Sequence, residues 1–97
     1  MIDPKLKEDI VQAFHAMLNV FDIDKSAELA GVGKMPLAHY LFLRRMYDLD
    51  IDKMNDCQLA MVCGMFDITF SAGDYGYSKD QNLAINNLGD LIFDLSH

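Results

Sequence analysis

Apolar residues recur at every third or fourth position through most of this chain, which is the spacing of an amphipathic α-helix. Near the start, the recurring residues are Leu6, Ile10, Phe14, Met17, Leu18 and Phe21. Asp3 is suited to cap the first helix because its side chain can accept a hydrogen bond from a free backbone N–H. Pro4 suits the first helical position. We therefore predict a helix from Pro4 to about Val20.

The next two predicted helices are short and meet at a glycine-containing turn. The first runs from Asp24, as its N-cap, to Ala30, and the second from near Pro36 to about Tyr47. Glycine tolerates the left-handed backbone that a tight corner needs. We expect Gly31 to make the bend, Val32 to fill the angle between the helices, and Gly33 to complete the turn. The segment 24–47 thus has a helix-turn-helix layout.

Two further helices are predicted by their N-terminal capping boxes. Asn55 and Gln58 begin a helix that runs to about Phe66, and Ser78 and Gln81 begin a terminal amphipathic helix over residues 78–96. Residues 69–77, between these helices, are rich in loop-forming residues and are predicted to form a loop. The apolar stripe of the last helix either packs on the core or forms a subunit interface. This stripe consists of Ala84, Leu88, Leu91, Ile92 and Leu95.

The period-two alternation of strands is missing, so we predict an all-α fold of four to five helices in a single compact domain spanning residues 1–97. At 97 residues and 52% hydrophobic composition, the chain can bury a core without metals or disulfides. Cys57 and Cys63 are expected to be reduced core thiols. No apolar run approaches the length of a membrane span, and the first residues do not resemble a signal peptide. We expect a cytoplasmic protein with no membrane contact.

The charge is strongly acidic overall but is distributed unevenly. The formal net charge is −7, with 15 acidic against 8 basic residues. Residues 34–45, however, contain Lys34, Arg44 and Arg45 and no acid. Non-specific attraction to nucleic acid should be weak, because that attraction grows with the number of phosphates that Lys and Arg neutralise. The overall field favours a basic partner.

The stretch Ser26–Tyr40 resembles the helix-turn-helix core of phage activators and repressors of the lambdoid type, and of Lac-repressor-like proteins, in which an Ala-Glu-x-Ala-Gly-Val string ends the first helix of the pair. The resemblance implies a small transcription regulator that binds duplex DNA. It places in the interior the residues Ala27, Ala30, Val32, Leu37 and Tyr40. It turns toward the major groove the residues Gly33, Lys34, Met35, Ala38, His39 and Phe42.

Arg44 and Arg45 could add phosphate contacts at the end of the third helix. Alternatively, they pair with Asp48 or Asp52. Because a few phosphate contacts per subunit give modest affinity, DNA binding requires a homodimer. The first or the last helix would then build the subunit interface.

A protein-binding role is the alternative. Among the side chains that the resemblance turns toward DNA, only those of Lys34 and His39 can donate hydrogen bonds to base edges or phosphates. Met35 and Phe42, if exposed, would suit docking to another protein, because flexible apolar side chains adapt to a partner surface. The alternative is therefore an acidic helical module, such as an anti-repressor, inhibitor or adaptor, that does not bind DNA.

The sequence predicts neither a metal site nor an active site. Alternate acids at Asp48, Asp50, Asp52 and Asp56 imitate the opening of a calcium loop. Lys53, however, replaces the glycine that such a loop needs, and Leu59 its closing glutamate. The three histidines, which are His15, His39 and His97, are scattered along the chain, and no nucleophile stands in a catalytic pattern. We expect no metal, no cofactor and no enzymatic activity.

Overall fold

The computed structural model describes residues 1–70 and 75–96, and these form five α-helices and one 3₁₀ turn. The helices are α1 (Pro4–Val20), α2 (Ile23–Gly31), α3 (Leu37–Asp48), α4 (Asp56–Thr69) and α5 (Lys79–Ser96). The 3₁₀ turn, Ile51–Lys53, lies between α3 and α4. No strand occurs in the described part of the chain. The all-α prediction is therefore confirmed.

Local hydrogen bonds explain where the helices begin. The Asp3 carboxylate accepts from the backbone N–H of Leu6 at 3.2 Å, as its predicted cap role requires. Asn55 and Gln58 form the predicted capping box. The Asn55 side chain accepts from the Gln58 N–H at 2.8 Å, and the Gln58 side chain accepts from the Asn55 N–H at 3.0 Å. Ser78 and Gln81 form the same reciprocal pair, at 3.2 and 3.0 Å.

Some boundaries differ from the prediction. The cap of α2 is Asp22 rather than Asp24, because the Asp22 side chain accepts from the Lys25 N–H at 2.8 Å. The helix α4 continues to Thr69, beyond the predicted end at Phe66. Ile51, in the segment between α3 and α4, is buried in the 3₁₀ turn. Of the loop predicted over residues 69–77, positions 71–74 lie outside the described residues, as does His97.

The turn between α2 and α3 is built on Gly33 rather than on Gly31. Gly31 ends α2, whereas Gly33 has a φ of +76°. The Lys34 N–H donates to the Leu29 carbonyl at 2.8 Å, and the Gly33 N–H donates to the Ala30 carbonyl at 3.2 Å. These two bonds and the left-handed glycine make a Schellman motif. The expectation that Gly31 makes the bend is wrong, because the helix continues through it and turns two residues later.

The core lies between the long helices α1 and α5 on one side and α3 and α4 on the other. The ring of Phe14 on α1 lies 6.4 Å from that of Phe42 and 6.3 Å from that of Phe66, measured between centroids. The helix α5 packs along α1, with Leu88 and Ile92 buried. The apolar stripe of the last helix, which the sequence left open between core and interface, is thus part of the core.

Candidate functional site

Three of the six residues that the resemblance turns toward DNA are buried in the core. Met35 is 3% exposed, His39 2% and Phe42 5%. Phe42 packs against Phe66 and Phe70, with centroid distances of 6.0 and 5.6 Å. The expectation that these three side chains lie on the surface is wrong, because they face the core, where aromatic rings pack against His39 and Phe42. Met35 and His39 are therefore not placed to contact DNA, and Met35 and Phe42 are not placed to contact a protein.

His39 is held by two hydrogen bonds and by aromatic rings. Its Nδ1 lies 2.7 Å from the Tyr77 hydroxyl, and its Nε2 lies 3.0 Å from the Thr69 carbonyl oxygen. The imidazole stacks on Phe70 at 4.1 Å and meets the edge of Tyr75 at 4.3 Å. Burial lowers the pKa of His39, against a smaller opposing effect of the Thr69 hydrogen bond, and burial raises the pKa of Tyr77 to about 12. His39 thus fixes α3 to the segments at both ends of the α4–α5 connection.

The other residues implied for DNA contact, Lys34, Ala38, Arg44 and Arg45, are exposed. The Arg44 Nε lies 3.6 Å from an Asp48 carboxylate oxygen, which is one of the pairings that the sequence left open. Neither Lys34 nor Arg45 forms an ion pair within residues 1–70 and 75–96. Arg44 lies on the side of α3 opposite to its buried face, whereas Lys34 lies in the turn before the helix.

The residues that the resemblance places in the interior are only partly there. Ala27, Ala30 and Tyr40 are half-buried. Val32 is 69% exposed and Leu37 is 61% exposed, so these two expectations are wrong. Val32 does not fill the angle between the helices, because its side chain faces solvent, whereas Met35 in the same turn is buried. Relative to the helix-turn-helix pattern, α3 is rotated about its axis, and its apolar Leu37 side points to solvent.

The alternate carboxylates before α4 have separate partners rather than a common centre. Asp50 lies 3.7 Å from Lys53, and Asp52 lies 3.0 Å from His15. Asp56 accepts from the Ile2 N–H at 3.0 Å and from Lys7 at 2.9 Å, and these contacts lower its pKa. Within the described residues, no group of three His, Cys, Asp or Glu side chains is placed to hold a metal ion.

The two cysteines differ in their surroundings. Cys63 is buried, and burial raises the pKa of its thiol to about 11. Cys57 is exposed in the first turn of α4, so its predicted place in the core is wrong.

A separate prediction concerned membranes. Among the described residues, no helix has both the length and the hydropathy for a membrane crossing.

A groove of about 540 Å³ opens between α3 and α4. Four methionines line it, and we call it the methionine groove. Its lining residues are Arg45, Met46, Leu49, Asp50, Lys53, Met54, Gln58, Met61, Val62 and Met65. Met46, Met54 and Val62 are buried and form the floor, whereas Met61 and Met65 are 65% and 42% exposed. The groove therefore presents two thioether side chains to solvent.

Apolar side chains extend the groove along both helices. The helices run antiparallel, because His39 contacts Thr69 while Phe42 contacts Phe66. On α3, the exposed Leu37 and Leu41 lie two turns and one turn before Arg45 in the same i, i+4 row. On α4, the exposed row consists of Met61, Met65 and Ile68. A solvent-facing apolar surface thus crosses the α3–α4 pair.

The sequence of α4 contains a signal for this second surface. In α4, apolar residues occur on two faces. One face holds Leu59, Val62, Cys63 and Phe66, all of which are buried. The other holds Met61, Met65 and Ile68 at spacings of four and three. A helix that packs on the core with one side needs only one apolar face. The second apolar face of α4 therefore indicates an additional contact surface.

Comparisons of the chain with profiles of known protein families, with curated protein sequences and with solved structures gave no match. The resemblance of residues 26–40 to phage regulators therefore stays a prediction.

Proposed function

We propose that this chain is a helical protein-interaction module that binds an amphipathic helix of a partner protein in the methionine groove. The observation that carries the proposal is the pair of solvent-exposed methionines, Met61 and Met65, on the wall of a groove with a buried apolar floor. Helix-in-groove binding uses a channel of this kind, in which apolar side chains at i, i+3, i+4 and i+7 of the partner are inserted.

The chemistry of the groove suits an adaptable binding surface. Methionine is unbranched and has a polarizable thioether, so it can repack around side chains of different shape. On α4, the groove and its exposed row run from Gln58 to Ile68, which is about 16 Å and gives a partner helix about three turns of contact. Leu37 and Leu41 on α3 extend the apolar wall on the opposite side. Covering these exposed side chains is the main source of binding free energy in the proposal.

The test uses a synthetic peptide of about 18 residues that forms an amphipathic helix with leucine on one face. We expect it to bind the whole chain, and we expect Met61→Lys to weaken binding about tenfold or more, because a charge would enter an apolar contact. Fluorescence anisotropy of the labelled peptide measures the affinity.

The matched control is Leu83→Lys on α5. Leu83 is 64% exposed, almost the same as Met61 at 65%, but it does not line the groove. This variant should bind the peptide as the unmodified chain does. Equal affinities of the Met61→Lys and unmodified chains, or an equal loss in both variants, would contradict the proposal.

A regulator that binds DNA is the second candidate, because Lys34, Arg44 and Arg45 are all exposed on one region of the chain. On α3, however, Leu37 and Leu41 share the solvent side with these cations, and apolar side chains read little beyond a thymine methyl. A gel-shift titration of labelled duplex DNA at low salt separates the candidates. Salt-sensitive binding that is lost in Lys34→Ala or Arg44→Ala would support the regulator. Our proposal predicts no shift.

A further inference from the structure

The charges around the methionine groove are not balanced. Three cations lie near it, but two of them have carboxylate partners, since Arg44 lies 3.6 Å from Asp48 and Lys53 lies 3.7 Å from Asp50. Arg45 lines the groove, is exposed, and makes no ion pair in the described part of the chain. On the facing wall of α4, the lining residues Gln58, Met61, Val62 and Met65 carry no charge. The groove therefore has an unpaired guanidinium at its edge.

We propose that the partner helix is acidic, with a carboxylate beside its apolar stripe that pairs with Arg45 when the stripe fills the groove. This inference rests on the proposed function and names the chemistry of the partner. A guanidinium presents a planar fork of N–H donors that matches the two oxygens of a carboxylate. Because the bound helix would exclude water from the groove edge, the pair would be less screened than a pair on an open surface.

An acidic partner is the opposite of the basic partner that the net charge of the chain favours. The chain as a whole carries −7, which favours a basic partner at long range. At physiological ionic strength, however, the Debye length is about 8 Å, so exposed charges farther away than this are largely screened. The charged residues that line the groove are Arg45, Asp50 and Lys53, and since Asp50 and Lys53 pair with each other, the charge left for a docked helix at contact distance is that of Arg45. We therefore expect the local cation to decide the preference.

The experiment compares two synthetic helical peptides that have the same leucine stripe. One has glutamate at all flanking positions and the other has lysine. At about 0.15 M salt, where screening removes most of the long-range field, we expect the glutamate peptide to bind the full chain about tenfold more tightly. Arg45→Glu should reverse the preference. Lys79→Glu makes the same change of charge on α5, away from the groove, and should leave the preference as it is.

The outcomes separate the two proposals. If neither peptide binds, the proposed function fails. If both bind equally, if the lysine peptide binds more tightly, or if Arg45→Glu changes nothing, the acidic partner is wrong while groove binding stands. Sedimentation of the free chain tests whether a second copy of the chain occupies the groove instead. A dimer that becomes a monomer in Met61→Lys would show that a second copy fills the groove, and this would overturn the inference.

Discussion

The Nδ1 atom of His39 on α3 lies 2.7 Å from the hydroxyl oxygen of Tyr77, just before α5. On the other side of the ring, Nε2 lies 3.0 Å from the carbonyl oxygen of Thr69. A carbonyl only accepts, so Nε2 carries the proton and Nδ1 accepts from the Tyr77 hydroxyl. Both bonds are satisfied by the neutral imidazole. The same ring stacks on Phe70 and is only 2% exposed, so solvent would stabilise a charge on it poorly.

This arrangement predicts that the protein loses stability in weak acid. Burial holds the folded-state pKa of His39 below its ordinary value of 6.5. As the pH falls below about 6.5, the unfolded chain binds a proton at this histidine before the folded chain does. The free energy of unfolding should therefore fall, with a contribution of up to about 1.4 kcal/mol per pH unit, until the pH reaches the folded-state pKa. Urea unfolding between pH 5 and pH 8 measures this slope.

The control for this prediction is His39→Gln, which keeps a polar side chain but cannot titrate. All other titrating groups are common to both chains, so the difference between their slopes isolates His39. The variant should be less stable at pH 8 and should lose less stability on acidification. Identical slopes in the two chains would contradict the assignment of a buried neutral imidazole.

From the geometry of the turn between α2 and α3, we expect alanine substitutions at Gly31 and Gly33 to have different effects on stability. Gly33 has a φ of +76°, so Gly33→Ala should destabilise the fold by about 1 kcal/mol. Gly31 ends α2 with open space where a Cβ would lie, so Gly31→Ala should be neutral or stabilising by up to about 1 kcal/mol. Thermal unfolding of both variants checks this. If Gly31→Ala lost more stability than Gly33→Ala, the bend would lie at Gly31, as expected from the sequence.

The orientation of α3 predicts a large difference between two neighbouring apolar residues. Met35→Ala should cost about 2–5 kcal/mol of stability, because it leaves a cavity in the core. Leu37→Ala removes a side chain that is 61% exposed and should change stability by no more than about 0.5 kcal/mol. Denaturant unfolding compares the two. If Leu37 proved the more costly residue, α3 would have the orientation of a helix-turn-helix instead.

The helices could be predicted from the sequence because their ends depend on local contacts. The caps at Asp3, Asn55 and Ser78 bind backbone N–H groups three residues away. Because Asp, Asn and Ser commonly make this bond, the residue types alone predict it. The apolar stripe of α1 has a single face, so its buried side was clear as well. For the same reason, the expected number and order of helices agree with the structure.

The buried side of α3 could not be predicted from its own residues. The helix is apolar on both sides, with Leu37 and Leu41 on one and Phe42 on the other. The choice between them is made by residues that are distant in sequence. Phe66 and Phe70 pack against Phe42, and Tyr77 binds His39 from 38 positions away. The candidate site thus contains Arg45 and Met46 of α3, but neither His39 nor Phe42, which the short resemblance turned toward DNA.

The claim that Met61 and Met65 line a binding groove is tested most directly by the rate at which peroxide oxidises each methionine. Mass spectrometry measures these rates with and without the leucine-faced peptide. Oxidation follows side-chain exposure. In the free chain, we expect rapid oxidation of Met61 and Met65 and slow oxidation of Met35. The peptide should protect Met61 and Met65 while Met1, which is fully exposed, stays reactive. Rapid oxidation of Met35, or unchanged rates at Met61 and Met65 with the peptide bound, would contradict the account.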